Sequence, residues 1–210
     1  MAYDLEEQEQ LESLKAWWRQ YGNAVTWVVI AALLAYAAWN GWNFWQRRQA
    51  GEASLLYGQV IKAAEANDTA RVKRAATDLE DKFGKTAYGP MSALTAAKVL
   101  YDSGDLASAK QQLQWAIDHA DGEYAQLARV RLAGVLLDEK AYDQGLALLK
   151  DAPPPAFVAL YADRRGDLLA AQDKRDDARA AYKQALEKLP ASEDVMRQLI
   201  QFKLDALGAA

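Results

Sequence analysis

Residues 159–192 read ALYADRRGDLLAAQDKRDDARAAYKQALEKLPAS, two helical runs separated by the polar turn Gln172-Asp173-Lys174 and stopped by Pro190. In both runs apolar side chains recur three and four positions apart, the period of a helix with one buried face. Small residues stand at Gly166, Ala178 and Ala185, and larger ones at Leu169 and Tyr182. Small side chains let two antiparallel helices approach closely, while the larger ones fill the layer between that pair and its neighbours. A lone pair of this kind leaves an apolar face uncovered, so the stretch predicts further copies.

Upstream the same register returns. Ala97, Ala109 and Ala116 recur 36 residues later as Ala133, Gly145 and Ala152, and 33 residues further as the Gly166 set. Leu100, Leu136 and Leu169 occupy the first helix of each pair, and Leu113, Leu149 and Tyr182 the second. Ser103-Gly104-Asp105 supplies a turn between apolar runs. This is a tetratricopeptide pattern, with repeats at about 90–125, 126–158 and 159–192. It is a divergent one: Ala162 and Arg165 stand where larger apolar residues are usual, and Pro153-Pro154-Pro155 cuts the middle repeat short. Sparse β-branched residues and abundant alanine and leucine make the domain all-α. Glu52 to Ala66 and Thr69 to Phe83 predict another pair in a less regular register, with Lys85 to Pro90 turning into the first clear repeat. Ser192 is expected to cap a last helix whose Val195, Leu199 and Phe202 cover the end of the stack.

The N-terminal region differs in kind. No formal charge occurs from Tyr21 to Gln46, longer as a helix than the roughly 30 Å hydrocarbon core of a bilayer. Its most apolar part, Ala24 to Ala38, is bracketed by Trp17, Trp18 and Tyr21 on one side and by Trp39, Trp42 and Trp45 on the other, the disposition of two interfacial aromatic belts. Arg47 and Arg48 stop it. Seven strongly apolar residues supply roughly −2 to −4 kcal/mol of insertion free energy, and Asn40 and Asn43 are expected at headgroup level. A transmembrane helix over 24–45 is the reading, against a buried amphipathic helix. Ala35-Tyr36-Ala37 superficially fits a signal-peptidase site, but the preceding region is long and acidic, so an uncleaved anchor is expected. Residues 1–23 form an acidic tail (Asp4, Glu6, Glu7, Glu9, Glu12) with a helical stripe of Leu11, Leu14, Trp18 and Tyr21. Lys15 and Arg19 precede the span while Arg47 and Arg48 follow it, so the charge rule leaves orientation tied. Gln46 to Ala53 lacks a linker composition, which predicts that the span runs directly into the first helix of the domain at 46–210.

Composition narrows function. With 25 basic and 29 acidic residues the net charge is −4, which excludes nucleic acid as an expected partner. There is no cysteine and one histidine, His119, so no zinc site of the usual His or Cys composition can be assembled. Neither a nucleophile elbow nor a phosphate-cradling glycine loop is present. No enzyme, cofactor or small-molecule substrate is expected. The carboxylate pairs Glu80 and Asp81, and Asp176 and Asp177, read as solvated helix surface. Asp163, Arg164, Arg165 and Asp167 read first as structural ion pairs. First-helix residues of a repeat stack line its concave face, which makes Arg129, Arg131, Asp163 and Arg164 candidates for binding a protein partner.

The whole chain resembles the YfgM family, the ancillary subunits of the bacterial SecYEG translocon. The resemblance rests on the acidic tail running through Leu11 to Tyr21 into the span, on Tyr88-Gly89, and on Leu127 to Val135 with Arg131-Leu132-Ala133. Ala162-Asp163-Arg164-Arg165-Gly166 and Asp177-Ala178-Arg179 complete it. It implies a single-pass type II protein of the inner membrane, its N-terminus cytoplasmic and its repeat domain periplasmic. It further implies association with SecYEG and with the membrane-anchored periplasmic chaperone PpiD, and a role in passing emerging proteins to periplasmic chaperones. It carries over no catalytic residue. The alternatives are a scaffold for another envelope assembly machine, and a regulator acting through the cytosolic tail.

Overall fold

The computed structural model describes the backbone of residues 3–208 and the side chains of 8–208, so the carboxylates of Asp4, Glu6 and Glu7 lie outside the described residues. Nine α-helices and one short 3-10 helix, Pro155–Phe157, occupy the described chain, with no strand among those residues. They are α1 Tyr3–Glu65, α2 Thr69–Phe83, α3 Tyr88–Asp102, α4 Leu106–His119, α5 Gly122–Asp138, α6 Tyr142–Leu148, α7 Val158–Ala171, α8 Arg175–Lys188 and α9 Asp194–Ala206. The chain divides into two units, the first reaching Gln49 and the second starting at Ala50; α1 contributes to both.

The first unit is helix throughout its described residues, and it keeps its apolar side chains outside. Val28 is 69% exposed, Leu34 66% and Phe44 71%, whereas a core helix of a water-soluble fold would bury them. Within this chain α1 is therefore not buried at its apolar part, and it is the one described helix long and apolar enough to cross a membrane. Trp17 sits 5.8 Å from Tyr21 and Trp42 sits 5.4 Å from Trp45, ring centre to ring centre.

The second unit stacks helix pairs. Four turns share one construction, each with a residue of positive φ: Asn67, Gly104, Lys140 and Asp173. At each turn the residue after it donates its N–H to a carbonyl five positions back, on Ala63, Leu100, Leu136 and Leu169. This closes each first helix with a Schellman motif and reverses the chain. Asp68 and Asp105 then cap the following helices by accepting from the N–H groups of Arg71 and Ser108.

Packing follows the small and large pattern. Ala97, Ala109, Ala116, Ala133, Ala178 and Ala185 are all at most 2% exposed, and Gly166 is buried. A Cβ at Gly166 would stand 2.4 Å from the Tyr182 ring, so only glycine allows α7 and α8 their approach. One expected member of the set fails: Ala152 is exposed beyond the end of α6, which stops at Leu148 ahead of the prolines, and Leu149 closes that pair's core.

The last helix is rotated from expectation. Glu193, not Ser192, precedes it, and Val195 (84% exposed), Leu199 and Phe202 face outward. Met196, Ile200, Leu204 and Leu207 pack on Ala159, Ala162, Ala178 and Tyr182 instead. Two cations hold that phase. The Arg197 guanidinium donates to the carbonyls of Leu186 and Leu189 at the end of α8, and Lys203 reaches into α7. Anchoring these on the inner face leaves Val195, Leu199 and Phe202 no way to turn inward.

Candidate functional site

The first helices of three successive pairs, α3, α5 and α7, line a groove of about 400 Å³. Its floor is built by buried residues of the helix core, Ala97 on α3, Val135 on α5 and Leu113 from the second helix α4. Its polar wall comes from Lys98, Tyr101 and Asp102 on α3, Arg131 and Asp138 on α5, and Arg164 on α7. Repeat architecture explains the convergence: equivalent positions of stacked first helices point the same way.

Most of these charges are already matched. Lys98 Nζ stands 2.5 Å from Asp102, and the Tyr101 hydroxyl donates to Asp138 at 2.5 Å. That hydrogen bond to a charged acceptor raises the Tyr101 pKa. Arg164 Nη1 pairs with Asp167 at 3.2 Å, but its Nε is buried with no hydrogen-bond partner. Arg131 is exposed on the groove; its Nη1 donates to the Leu94 carbonyl at 3.2 Å, and it has no carboxylate partner among the described residues. Its guanidinium is partly desolvated by the groove walls, which lowers its pKa from the usual arginine value. Gly134, one turn from Arg131, admits the Arg164 guanidinium: a Cβ there would stand 3.3 Å from its Cζ.

The four residues expected at the partner face thus separate into three settings. Arg131 and Arg164 come together in the groove. Arg129 is half-buried and stands instead by the Tyr161 hydroxyl on α7, which donates to Gln126. Asp163 is buried at 8% exposure, and Lys203 of α9 binds it at 2.7 and 2.9 Å and Asp167 at 2.8 Å. Tyr182 donates to Asp167 at 2.9 Å, and burial with that neighbouring charge raises the Tyr182 pKa far above its ordinary range. Burial raises the Asp163 pKa while its bond to Lys203 opposes the rise. A desolvated cluster of this kind is costly to break and fixes α9 on α7 and α8.

Sequence reading missed Tyr101, Asp138 and Gly134. Tyr101 follows the core Leu100 directly and Asp138 stands two residues after Leu136, so the repeat register could have placed both on the groove. Glu80 was also misread. It is not solvated surface: Oε1 is buried without a partner, and burial together with the charge of Asp81 raises its pKa to about 7. Asp176, by contrast, is 98% exposed and paired only with Arg179. Around α1, Trp17, Trp18, Trp39, Trp42 and Trp45 are exposed, as are Arg47 and Arg48.

The model of the tetratricopeptide repeat-like domain family matches residues 15–209. An ancillary SecYEG translocon subunit of Neisseria gonorrhoeae is 32% identical over 99% of this chain and 100% of its own length. The protein of that name in Haemophilus influenzae is 26% identical over 99% of this chain and 100% of its own. The Escherichia coli K12 one is 28% identical over 92% and 95%.

Proposed function

The chain belongs to the family of ancillary SecYEG translocon subunits, and we propose that it works as a membrane-anchored adaptor beside that channel. In this reading residues 1–23 are a cytoplasmic tail, 24–45 cross the inner membrane, and 46–210 are a periplasmic repeat domain that helps pass exported polypeptides to the chaperone PpiD. Trp17 and Trp18 sit at one bilayer interface; Trp39, Trp42, Trp45, Arg47 and Arg48 sit at the other. Arg131 and Arg164 face the protein partner in the groove. Arg129 flanks them on α5, and Asp163 holds α7 and α9 in the arrangement that presents Arg164.

One observation carries the reading: a groove lined by three successive first helices stands on the same chain as a membrane-crossing helix. Anchoring confines the groove to a membrane surface, where effective concentrations reach about the millimolar range, so weak contacts suffice for capture. The function is that of a scaffold, and the chemistry is recognition rather than catalysis.

Site-specific photo-crosslinking in native membranes tests this, with probes at Trp42 and Arg131. Capture of SecYEG subunits at Trp42 and of a periplasmic chaperone at Arg131 is the expected outcome. Capture of cytosolic proteins at Arg131 would reverse the orientation, and capture of an unrelated assembly machine at both positions would replace the adaptor with a scaffold of that machine.

A further inference from the structure

Building on the adaptor reading, we propose that the groove is a receptor for side-chain carboxylates of an acidic segment in a partner polypeptide, with Arg131 as the anchoring cation and Arg164 as its second donor. The protein as a whole is acidic, at net charge −4. The groove runs against that balance. Its lining carries three cations, Lys98, Arg131 and Arg164, against two carboxylates, Asp102 and Asp138; Lys98 pairs with Asp102 and Tyr101 hydrogen-bonds Asp138, whereas Arg131 has no anionic partner among the described residues.

Two further features point to an anion. Arg164 Nε is buried and unpartnered, so one donor of this groove-lining guanidinium is unused. Gly134 leaves room for that guanidinium to lie close against α5, where an added Cβ would crowd it at 3.3 Å from Cζ. A guanidinium whose desolvation is uncompensated gains most from a carboxylate, which accepts two parallel N–H bonds in the geometry of the fork. The apolar floor of Ala97 and Val135 then offers contact for the aliphatic neighbours of the acidic residue.

The test uses the full chain in lipid nanodiscs. Four short fluorescent peptides are titrated by anisotropy: a leucine and glutamate peptide with both ends blocked, its glutamine and lysine counterparts, and the glutamine peptide with a free C-terminal carboxylate. The glutamate peptide should bind about tenfold or more tightly than the blocked glutamine one and weaken as salt rises. Arg131→Gln should remove that preference, and Arg131→Glu should transfer it to a lysine peptide, with helicity and unfolding temperature unchanged. Equal binding of the blocked glutamate and glutamine peptides overturns the proposal. So does binding of the free-ended glutamine peptide as tightly as the glutamate one, which would make the site a terminus receptor. Trp42 crosslinks to the translocon in the parent chain separate the two readings: their presence with no carboxylate preference sinks the groove chemistry alone, and their absence sinks the adaptor.

Discussion

The first helix pair and the second share a turn and a topology but fill their cores in opposite ways. Counted from the turn residues Asn67 and Gly104, the positions of Ala97, Ala109 and Ala116 in the second pair hold Val60, Val72 and Leu79 in the first. The positions of Leu100 and Leu113 hold Ala63 and Ala76. All ten side chains are at most 2% exposed. Where the second pair is small at the helix contact and large toward its neighbours, the first is large at the former positions and small at the latter. Interior volume is conserved while its distribution is exchanged, which cores tolerate when packing density is kept. A repeat is therefore defined by its turn and its buried positions more than by residue size.

The largest effect that separates the pairs should come from Leu79→Ala. Leu79 is fully buried against Ala53 and Phe83, and its loss should cost about 3 kcal/mol, read as a drop in the urea midpoint of the full chain in detergent. Alanine is native at the equivalent Ala116, so an unchanged midpoint would mean that the two cores are not exchanged in size. A smaller effect sharpens the comparison within one cluster, since Val72 and Ala76 pack together with Ala96, Leu100 and Ala109. Val72→Ala and Ala76→Leu should each cost about 1 to 2 kcal/mol, and the double variant, which copies the Ala109 and Leu113 pattern, less than their sum. Strict additivity would show that the two sites do not share space.

The smallest effect concerns Glu80, whose equivalent in the second pair is Ile117. Its folded pKa of about 7 lies above the unfolded value of 4.5, so the folded state holds the proton more tightly. The Glu80 contribution to stability should therefore be greatest at and below the unfolded pKa, fall as pH rises through 7, and level off above it. Glu80→Gln should abolish that slope and stabilise the protein by about 1 kcal/mol at pH 8, after allowing for solvent screening of a partly exposed group, with little change at pH 4. Parallel melting curves for the two proteins across this range would place the Glu80 carboxylate in water.

Much of this was legible in the chain, and the failures have identifiable causes. The pairs containing Gly104, Lys140 and Asp173 announced themselves because small residues recur at fixed offsets from a turn. The first pair was read as a pair from its helical runs, and helices stand there, but its register looked irregular because Val60, Val72 and Leu79 occupy positions that are small in the later pairs, although Asn67-Asp68 matches Gly104-Asp105 as a turn followed by an N-cap. In α6, spacing alone placed Ala152 in a helix that the three prolines had already ended. Of the four candidate groove residues, Arg131 and Arg164 met, while Arg129, two positions from Arg131 on α5, faces elsewhere because a helix turns about 200° in that interval.

Sequence by itself determined the local terms: one uncharged span flanked by tryptophans, helices from their period, reversals from Gly104, Asn67 and the capping aspartates, and the lack of cysteine with a single histidine. Those are short-range properties, set within a few residues. Tertiary structure alone decided which stripe of α9 is buried, because apolar residues occupy both of its faces and the choice rests on Lys203 meeting Asp163 forty residues away. It also decided that Arg131 would stand without a counter-ion among the described residues while Asp138, two turns along the same helix, accepts a hydrogen bond from Tyr101. Charge balance in a groove depends on which helices stack beside one another, and no periodicity within a single helix encodes that.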